Sequence, residues 1–196
     1  MTTILYVKSS ILGEHSATNA IVDALHAHWA QKHAGASHVV RNLGTEGLPH
    51  LDMGTLGAMR SESAEQQATA AVGQKALQEL LSADTLVLAA PMYNFGIPSG
   101  LKAWLDHVIH PGKTFQYGAN GPEGLLKGKK AILVLATGGA YSEGPAKAMD
   151  FVEPYLRTVL GFIGITDITV VRAEALAMGD AGAASKAKAL ETVRAL

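Results

Sequence analysis

Ala90-Pro91-Met92-Tyr93-Asn94-Phe95-Gly96-Ile97-Pro98-Ser99 directly follows the apolar run Thr85 to Ala89 and directly precedes the amphipathic run Gly100 to Ile109. A short buried strand therefore leads into a tight, proline-bracketed loop that passes into a helix. In an open parallel α/β sheet, ligands bind outside the carboxyl ends of the strands where the strand order reverses. Pro91 and Pro98 fix the chain direction on either side of the loop. Gly96 lets the backbone approach something flat, and the Asn94 amide offers both a donor and an acceptor to the edge of a heterocycle. Taken singly, Tyr93 or Phe95 reads as core packing; at the carboxyl end of a strand they read as a stacking platform.

Working outward, the chain alternates short apolar runs with helical patterns. Ile4-Leu5-Tyr6-Val7 is a first strand, and from about Ser16 the residues Ile21, Val22, Leu25 and Trp29 share one helical face that ends near Gly35. His38 to Arg41 is a second strand, Leu43 to Met59 reads as irregular, and Glu65 to Leu81 as a helix. Thr85 to Ala90 is the third strand, and Leu101, Trp104, Leu105, Val108 and Ile109 mark the helix after the opening loop. Pro111 to Lys130 is a long glycine-containing excursion of the kind used as a lid or binding loop. Ala131 to Leu135 is a fourth strand. The helix after it carries Leu156, Val159, Leu160 and Ile163, with Pro154 in its first turn or kinking it. Ile168 to Val171 is a fifth strand, and Ala181 to Leu196 closes the chain as a helix.

Five strand–helix units predict a single flavodoxin-like α/β domain over residues 1–196: a five-stranded parallel sheet in the order 2-1-3-4-5 with helices on both faces. The length of 196 residues suits one domain with a substantial core. Charged residues make up 17%, low for a soluble surface, which implies that some apolar surface is covered, as by a second copy. The net charge of −1 and the lack of a Lys/Arg run point away from nucleic acid and anionic membranes. Cysteine is absent, which excludes thiol nucleophiles, disulfides, iron–sulfur clusters and thiolate zinc sites. No run approaches the roughly 18 apolar residues of a membrane span, and no signal-peptide pattern opens the chain, so the cytoplasm is expected.

In this strand order three loops converge. The first, Ser9 to Thr18, lacks both G-x-G-x-x-G and the Walker pattern. It supplies the hydroxyls of Ser9, Ser10, Ser16 and Thr18 instead, the last two at a helix N-terminus, where a terminal phosphate is well placed. Ser16 alone would be read as an N-cap. The second is the opening loop. The third, Ala136-Thr137-Gly138-Gly139, can turn consecutive N–H groups toward one acceptor and stabilise negative charge developing on a reduced ring. A phosphate-monoester pocket, an aromatic wall and an oxyanion-type nest together specify FMN, which would carry the hydride chemistry with no catalytic side chain required. Eight histidines do not assemble a metal set: His26 and His28 point to different sides of a helix, and His107 and His110 have no convergent carboxylates. The G-x-S-x-G elbow of a serine hydrolase is absent.

The chain also resembles the FMN-dependent NADH-azoreductase family, also described as FMN-dependent NADH:quinone oxidoreductases. The resemblance rests on Lys8-Ser9-Ser10-Ile11-Leu12, Ala90-Pro91-Met92-Tyr93-Asn94-Phe95, Asn120-Gly121-Pro122-Glu123-Gly124, Gly128-Lys129-Lys130 and Leu160-Gly161-Phe162-Ile163-Gly164-Ile165-Thr166, and it runs along essentially the whole chain. It implies a homodimer with FMN sites at the interface and ping-pong electron transfer from NADH to quinones or azo compounds. By position it implies that Ser10, Ser16, Ala17 and Thr18 bind the phosphate, that Met92, Tyr93, Asn94 and Phe95 line the isoalloxazine, and that Ala136, Thr137, Gly138 and Gly139 face its pyrimidine end. Tyr117, Asn120 and Phe162 resemble positions that shape the substrate space, some reaching from the partner subunit.

Departures accompany the likeness. Ser16-Ala17-Thr18 stands where many members have Ser-Gln-Ser, and Ala136-Thr137-Gly138-Gly139 where Ser-Arg-Gly-Gly is familiar, losing a cation. Tyr141 takes the place of another member's histidine, and its hydroxyl can still donate to the flavin O2. The alternative is a flavodoxin-like electron carrier docking to protein partners, which the near-neutral charge disfavours. NADH and NADPH are not distinguished by any motif.

Overall fold

A computed structural model describes residues 2–59 and 64–196. The chain runs β1 (Thr3–Lys8), α1 (Ala17–Lys32), β2 (Ser37–Asn42), α2 (Met53–Met59), α3 (Ala64–Ser82), β3 (Thr85–Pro91), α4 (Ser99–Val108), β4 (Phe115–Gly118), β5 (Gly121–Gly124), β6 (Lys130–Ala136), α5 (Glu153–Phe162), β7 (Asp167–Ala173) and α6 (Asp180–Ala195). The main sheet has the order β2-β1-β3-β6-β7, all parallel, with β6 and β7 as the fourth and fifth strands expected from the sequence.

Both faces of this sheet are covered because every central strand is apolar on both sides. Along β1, Leu5 and Val7 join one core with Leu86, Leu88, Leu133 and Leu135, packed under Leu77 and Leu80 of α3, Leu101, Trp104 and Leu105 of α4 and Leu156 and Leu160 of α5. The alternate residues Ile4 and Tyr6 join the other core with Val87, Ile132 and Val134, under Ile21, Val22 and Leu25 of α1 and Ala189 and Val193 of α6. The period-2 alternation of the strands thus divides one continuous apolar run between two layers. Truncating a fully buried member such as Leu133 to alanine costs about 2–5 kcal/mol.

Pro154 sits in the first turn of α5, where its missing N–H costs nothing, and the helix is not kinked by it. Two segments expected to be irregular are ordered. Residues 53–59 form α2, whose start is held by the Asp52 carboxylate accepting from the Thr55 N–H at 2.7 Å. The excursion from Pro111 contains the β4–β5 hairpin, with Tyr117 opposite Pro122. The hairpin base is pressed onto the end of α5. A Cβ on Gly124 would fall 2.1 Å from the Gly164 nitrogen, and the Leu126 N–H donates to the Ile163 carbonyl at 2.9 Å. Glycine at 124 therefore sets this approach. Among the described residues, no helix is long and apolar enough to cross a membrane.

Candidate functional site

The carboxyl ends of β1, β3 and β6 lie side by side, and the loops that leave them are tied to one another. In the first loop the Ser9 hydroxyl donates to the Ala89 carbonyl at 2.6 Å, fastening the loop to β3. That occupies the hydroxyl, so Ser9 is a structural tie rather than a donor to a ligand. The buried Ser10 hydroxyl lies 3.2 Å from the Tyr93 hydroxyl, which also accepts from the Ile11 N–H at 3.3 Å. Tyr93 therefore joins loops one and two through its oxygen.

A short 3-10 turn, Gly13–His15, then delivers the chain to α1. Ser16 is the N-cap: its Oγ accepts from the Asn19 N–H at 3.2 Å and lies 3.0 Å from the Thr18 hydroxyl. Among the described residues, the Ala17 and Thr18 N–H groups have no hydrogen-bond partner. They are the first two donors of a 16-residue helix, at its positive end. Two unpaired N–H groups and two buried hydroxyls converge there, which is the donor set a phosphate requires.

The second loop is a tight two-residue turn. Tyr93 and Gly96 exchange both backbone hydrogen bonds, at 2.9 and 3.0 Å. The residues between them, Asn94 at φ 49° and Phe95 at φ 69°, are both left-handed, the pattern of a type I′ turn. Asparagine accepts this conformation, but for phenylalanine it costs about 1–2 kcal/mol. Neither the Asn94 nor the Phe95 N–H has a partner among the described residues. The Met92 N–H donates to the Ala136 carbonyl at 2.8 Å, which fastens this loop to the third.

The third loop is braced from outside. The carbonyls of Thr137, Gly138 and Gly139 accept from the N–H groups of Leu176, Ala177 and Ala175 at 3.1, 3.0 and 2.9 Å, and the Thr137 hydroxyl donates to the Gly139 carbonyl at 2.7 Å. With three consecutive carbonyls held by one neighbour, the Gly138 and Gly139 N–H groups are left without partners among the described residues. Two consecutive open N–H groups of this kind can serve an anionic acceptor. The Tyr141 ring meets Phe95 edge-on, with centroids 6.3 Å apart, and closes the gap between loops three and two.

Two contributors carried no sequence signal. Gly44, just beyond β2, lies against loop one: a Cβ there would fall 2.1 Å from the Ser10 carbonyl oxygen. Glu174, after β7, accepts from the Tyr141 and Ser142 N–H groups, both at 3.1 Å, and from the Ser142 hydroxyl at 2.6 Å. Burial pushes the Glu174 carboxyl up, but the Ser142 hydroxyl, the two N–H donors and nearby Arg172 outweigh it and hold the group below the ordinary glutamate range.

Tyr117, Asn120 and Phe162 stand apart from these loops. Tyr117 is exposed on β4, Asn120 lies in the hairpin turn, and Phe162 packs against Phe115 at 4.7 Å. None of their hydrogen bonds or ring contacts among the described residues reaches loops one to three. One cavity, about 580 Å³, is at the opposite end of the sheet, lined by Thr2, Trp29, Lys130, Asp167 and Leu196 among others, and another, about 600 Å³, lies beside loop three, lined by Tyr141, Ser142, Asp150 and Arg172 among others.

The parallel order, the reversal at β1 and β3 and the donor-rich loops beside it define a nucleotide- or flavin-binding doubly wound protein. The family model described as "Flavodoxin-like fold" matches residues 2–196. The chain belongs to this fold family and, within it, to the FMN-dependent NADH:quinone oxidoreductases. Proteins of that name from Herminiimonas arsenicoxydans and Azotobacter vinelandii are 47% and 48% identical, covering 93% and 91% of this chain and 91% and 90% of their own lengths. Among solved structures, an azoreductase from Bacillus anthracis is 29% identical and superposes with a TM-score of 0.87 over all of both chains. An FMN-dependent NADH-azoreductase from the same species, in complex with FMN, is 25% identical with a TM-score of 0.88, covering all of this chain and 97% of its own.

Proposed function

We propose that this chain is an FMN-dependent oxidoreductase that takes two electrons from NADH and delivers them, in ping-pong fashion, to quinones and azo compounds. The observation that carries the reading is the convergence of unpaired backbone donors from all three loops at one end of the sheet. These donors and hydroxyls fit FMN. A terminal phosphate suits Ser10, Ser16, Ala17 and Thr18, and a flat ring suits Met92, Tyr93, Asn94 and Phe95. Ala136, Thr137, Gly138 and Gly139 would meet its polar edge. When bound, FMN supplies the two-electron chemistry, accepting from the nicotinamide and donating to the acceptor.

The chain's own part is binding, orientation and electrostatics. The Ala17 and Thr18 N–H groups each contribute about 1.5–3 kcal/mol toward a charged phosphate. The Gly138 and Gly139 N–H groups would stabilise negative charge on the reduced ring, and the Tyr141 hydroxyl could add a donor at that edge. The rigid Tyr93–Gly96 turn would hold the wall on which the flavin ring rests, leaving its other face to nicotinamide and acceptor in turn. Ile11, Leu12, Phe95 and Phe151 are 72, 54, 44 and 62% exposed on or beside these loops, apolar surface that supports a homodimer closing over the site. In such a dimer Tyr117, Asn120 and Phe162 would shape the substrate space, some of them reaching from the partner. The cytoplasm is the proposed location.

Steady-state kinetics with NADH and menadione, repeated with an azo dye, test this. Parallel double-reciprocal lines and a yellow protein that bleaches on adding NADH are expected. A flavin-loaded protein that NADH never bleaches would return the chain to the electron-carrier reading, and intersecting lines would remove the ping-pong order.

A further inference from the structure

Loop three owes its shape to a segment that no part of the proposed chemistry uses. The connection from β7 to α6 runs alongside it, and Ala175, Leu176 and Ala177 donate to three successive carbonyls of loop three. Ala175 itself is left-handed, at φ 58°. Gly182 presses against it: a Cβ there would lie 2.5 Å from the Ala175 carbonyl oxygen. A rigid, slightly strained strap therefore grips the diglycine loop from behind.

Glu174 begins that strap and reaches further than the rest of it. One carboxylate oxygen accepts from both the Tyr141 and Ser142 N–H groups, and the other accepts from the Ser142 hydroxyl. Its own N–H donates to the Ser185 hydroxyl of α6 at 2.9 Å, so the residue is anchored at the backbone as well. The carboxylate thus fixes the segment immediately after the diglycine, the segment that carries the Tyr141 ring against Phe95. Charge-assisted bonds of this kind are shorter and stronger than neutral ones.

We propose that Glu174 is a positioning residue for the cofactor: through the Tyr141 and Ser142 N–H groups it fixes the segment that follows the diglycine and thereby the placement of the Tyr141 wall. Glu174 itself does not touch a reacting atom. The proposal rests on the reading of the three loops as an FMN site.

The test compares Glu174→Ala and Glu174→Gln with the wild-type full-length protein. Glutamine keeps an oxygen that accepts from both N–H groups and an amide that donates to the Ser142 hydroxyl, so it restores the geometry without the charge. FMN affinity is read by titrating flavin-free protein and following flavin fluorescence. Glu174→Ala is expected to weaken FMN about tenfold, with Glu174→Gln recovering most of the loss. Amide hydrogen exchange in the flavin-free protein supplies a readout independent of the cofactor: the bonded Tyr141 and Ser142 N–H groups should exchange about tenfold faster in Glu174→Ala, and Glu174→Gln should restore most of their protection. FMN affinity within twofold of wild type in Glu174→Ala, or unchanged exchange at residues 141 and 142, would overturn the proposal. If the alanine variant does not fold, Ser142→Ala removes only the bond to the second oxygen and should still weaken FMN about threefold; no change there would equally overturn it. A wild-type protein that binds no FMN would refute the cofactor reading instead, while the exchange measurement would still decide whether Glu174 holds the loop.

Discussion

At the amino end of the sheet the central strands are tied directly to one another, whereas at the carboxyl end the loops set open donors beside buried hydroxyls. Where β1, β3 and β6 begin, the Asp84 N–H donates to the Thr3 carbonyl, the Lys130 N–H to the Asp84 carbonyl, and the Asp84 carboxylate accepts from the Thr3 N–H. The Lys129 ammonium caps the end of α3 by donating to the Leu81 and Ala83 carbonyls. Where the same strands end, six N–H groups on three loops, those of Ala17, Thr18, Asn94, Phe95, Gly138 and Gly139, have no partner among the described residues. Among the described residues, the three non-glycine residues with left-handed backbone, Asn94, Phe95 and Ala175, lie on or against those loops. A cavity of about 580 Å³ lies at the amino end and one of about 600 Å³, lined by Tyr141, Ser142, Asp150 and Arg172, lies beside loop three. Cavity volume therefore does not distinguish the two ends; the left-handed backbone and the open donors set beside buried hydroxyls do.

The comparison can be broken most severely at Gly139. A Cβ there would already meet the Tyr141 ring at 3.1 Å, so Gly139→Val should displace the wall and lower FMN affinity by about 100-fold or more. Stoichiometric FMN in the purified variant would show that loop three is not part of the site. A milder break is Tyr93→Phe, which removes the hydroxyl shared by Ser10 and Ile11. Two neutral hydrogen bonds at about 0.5–1.5 kcal/mol each predict a loss of about tenfold in FMN affinity, read by equilibrium titration.

Phe95→Gly sharpens the contrast by separating strain from function. Relieving a left-handed phenylalanine by about 1 kcal/mol should raise the melting temperature of the flavin-free protein by about 2 °C while quinone turnover falls, as expected if the strain serves the site. A lower melting temperature would show that the Phe95 side chain stabilises more than its backbone costs. The smallest effect is expected at the other end. Thr169 is exposed on β7 and lines the amino-end cavity, so Thr169→Trp should fill the space and leave FMN affinity and quinone turnover within about twofold. A large loss of either would mean that the two ends are coupled.

Much of the local architecture of the candidate site was legible because its signals are local. Ser16 followed by an apolar helical face is an N-cap in any context, and the structure adds that its neighbours' N–H groups stay open. Pro91 and Pro98 bracket a turn whatever surrounds them. Ser9 was misjudged for the converse reason: its hydroxyl has the right chemistry, but Ala89 lies 80 residues away in sequence and 2.6 Å away in space. The hairpin at Phe115–Gly124 was hidden because its strands are rich in glycine and polar residues, and its place is set by contact with Gly164. Gly44 and Glu174 gave no sign at all, since each matters only through a partner more than 30 positions distant.

The sequence by itself determined the alternation of strands and helices, the parallel sheet and its order, and the three loops at which a ligand is to be sought. Hydrophobic periodicity and backbone-restricting residues act over a few positions, so they are written locally. Tertiary structure alone decided which donors in those loops remain open. The Ser9 hydroxyl is drawn off by β3, the loop-three carbonyls are held by Ala175–Ala177, and the Gly138 and Gly139 N–H groups are left without partners among the described residues. Whether a polar group is open or satisfied depends on everything packed around it, and residues far apart in the chain supply that packing.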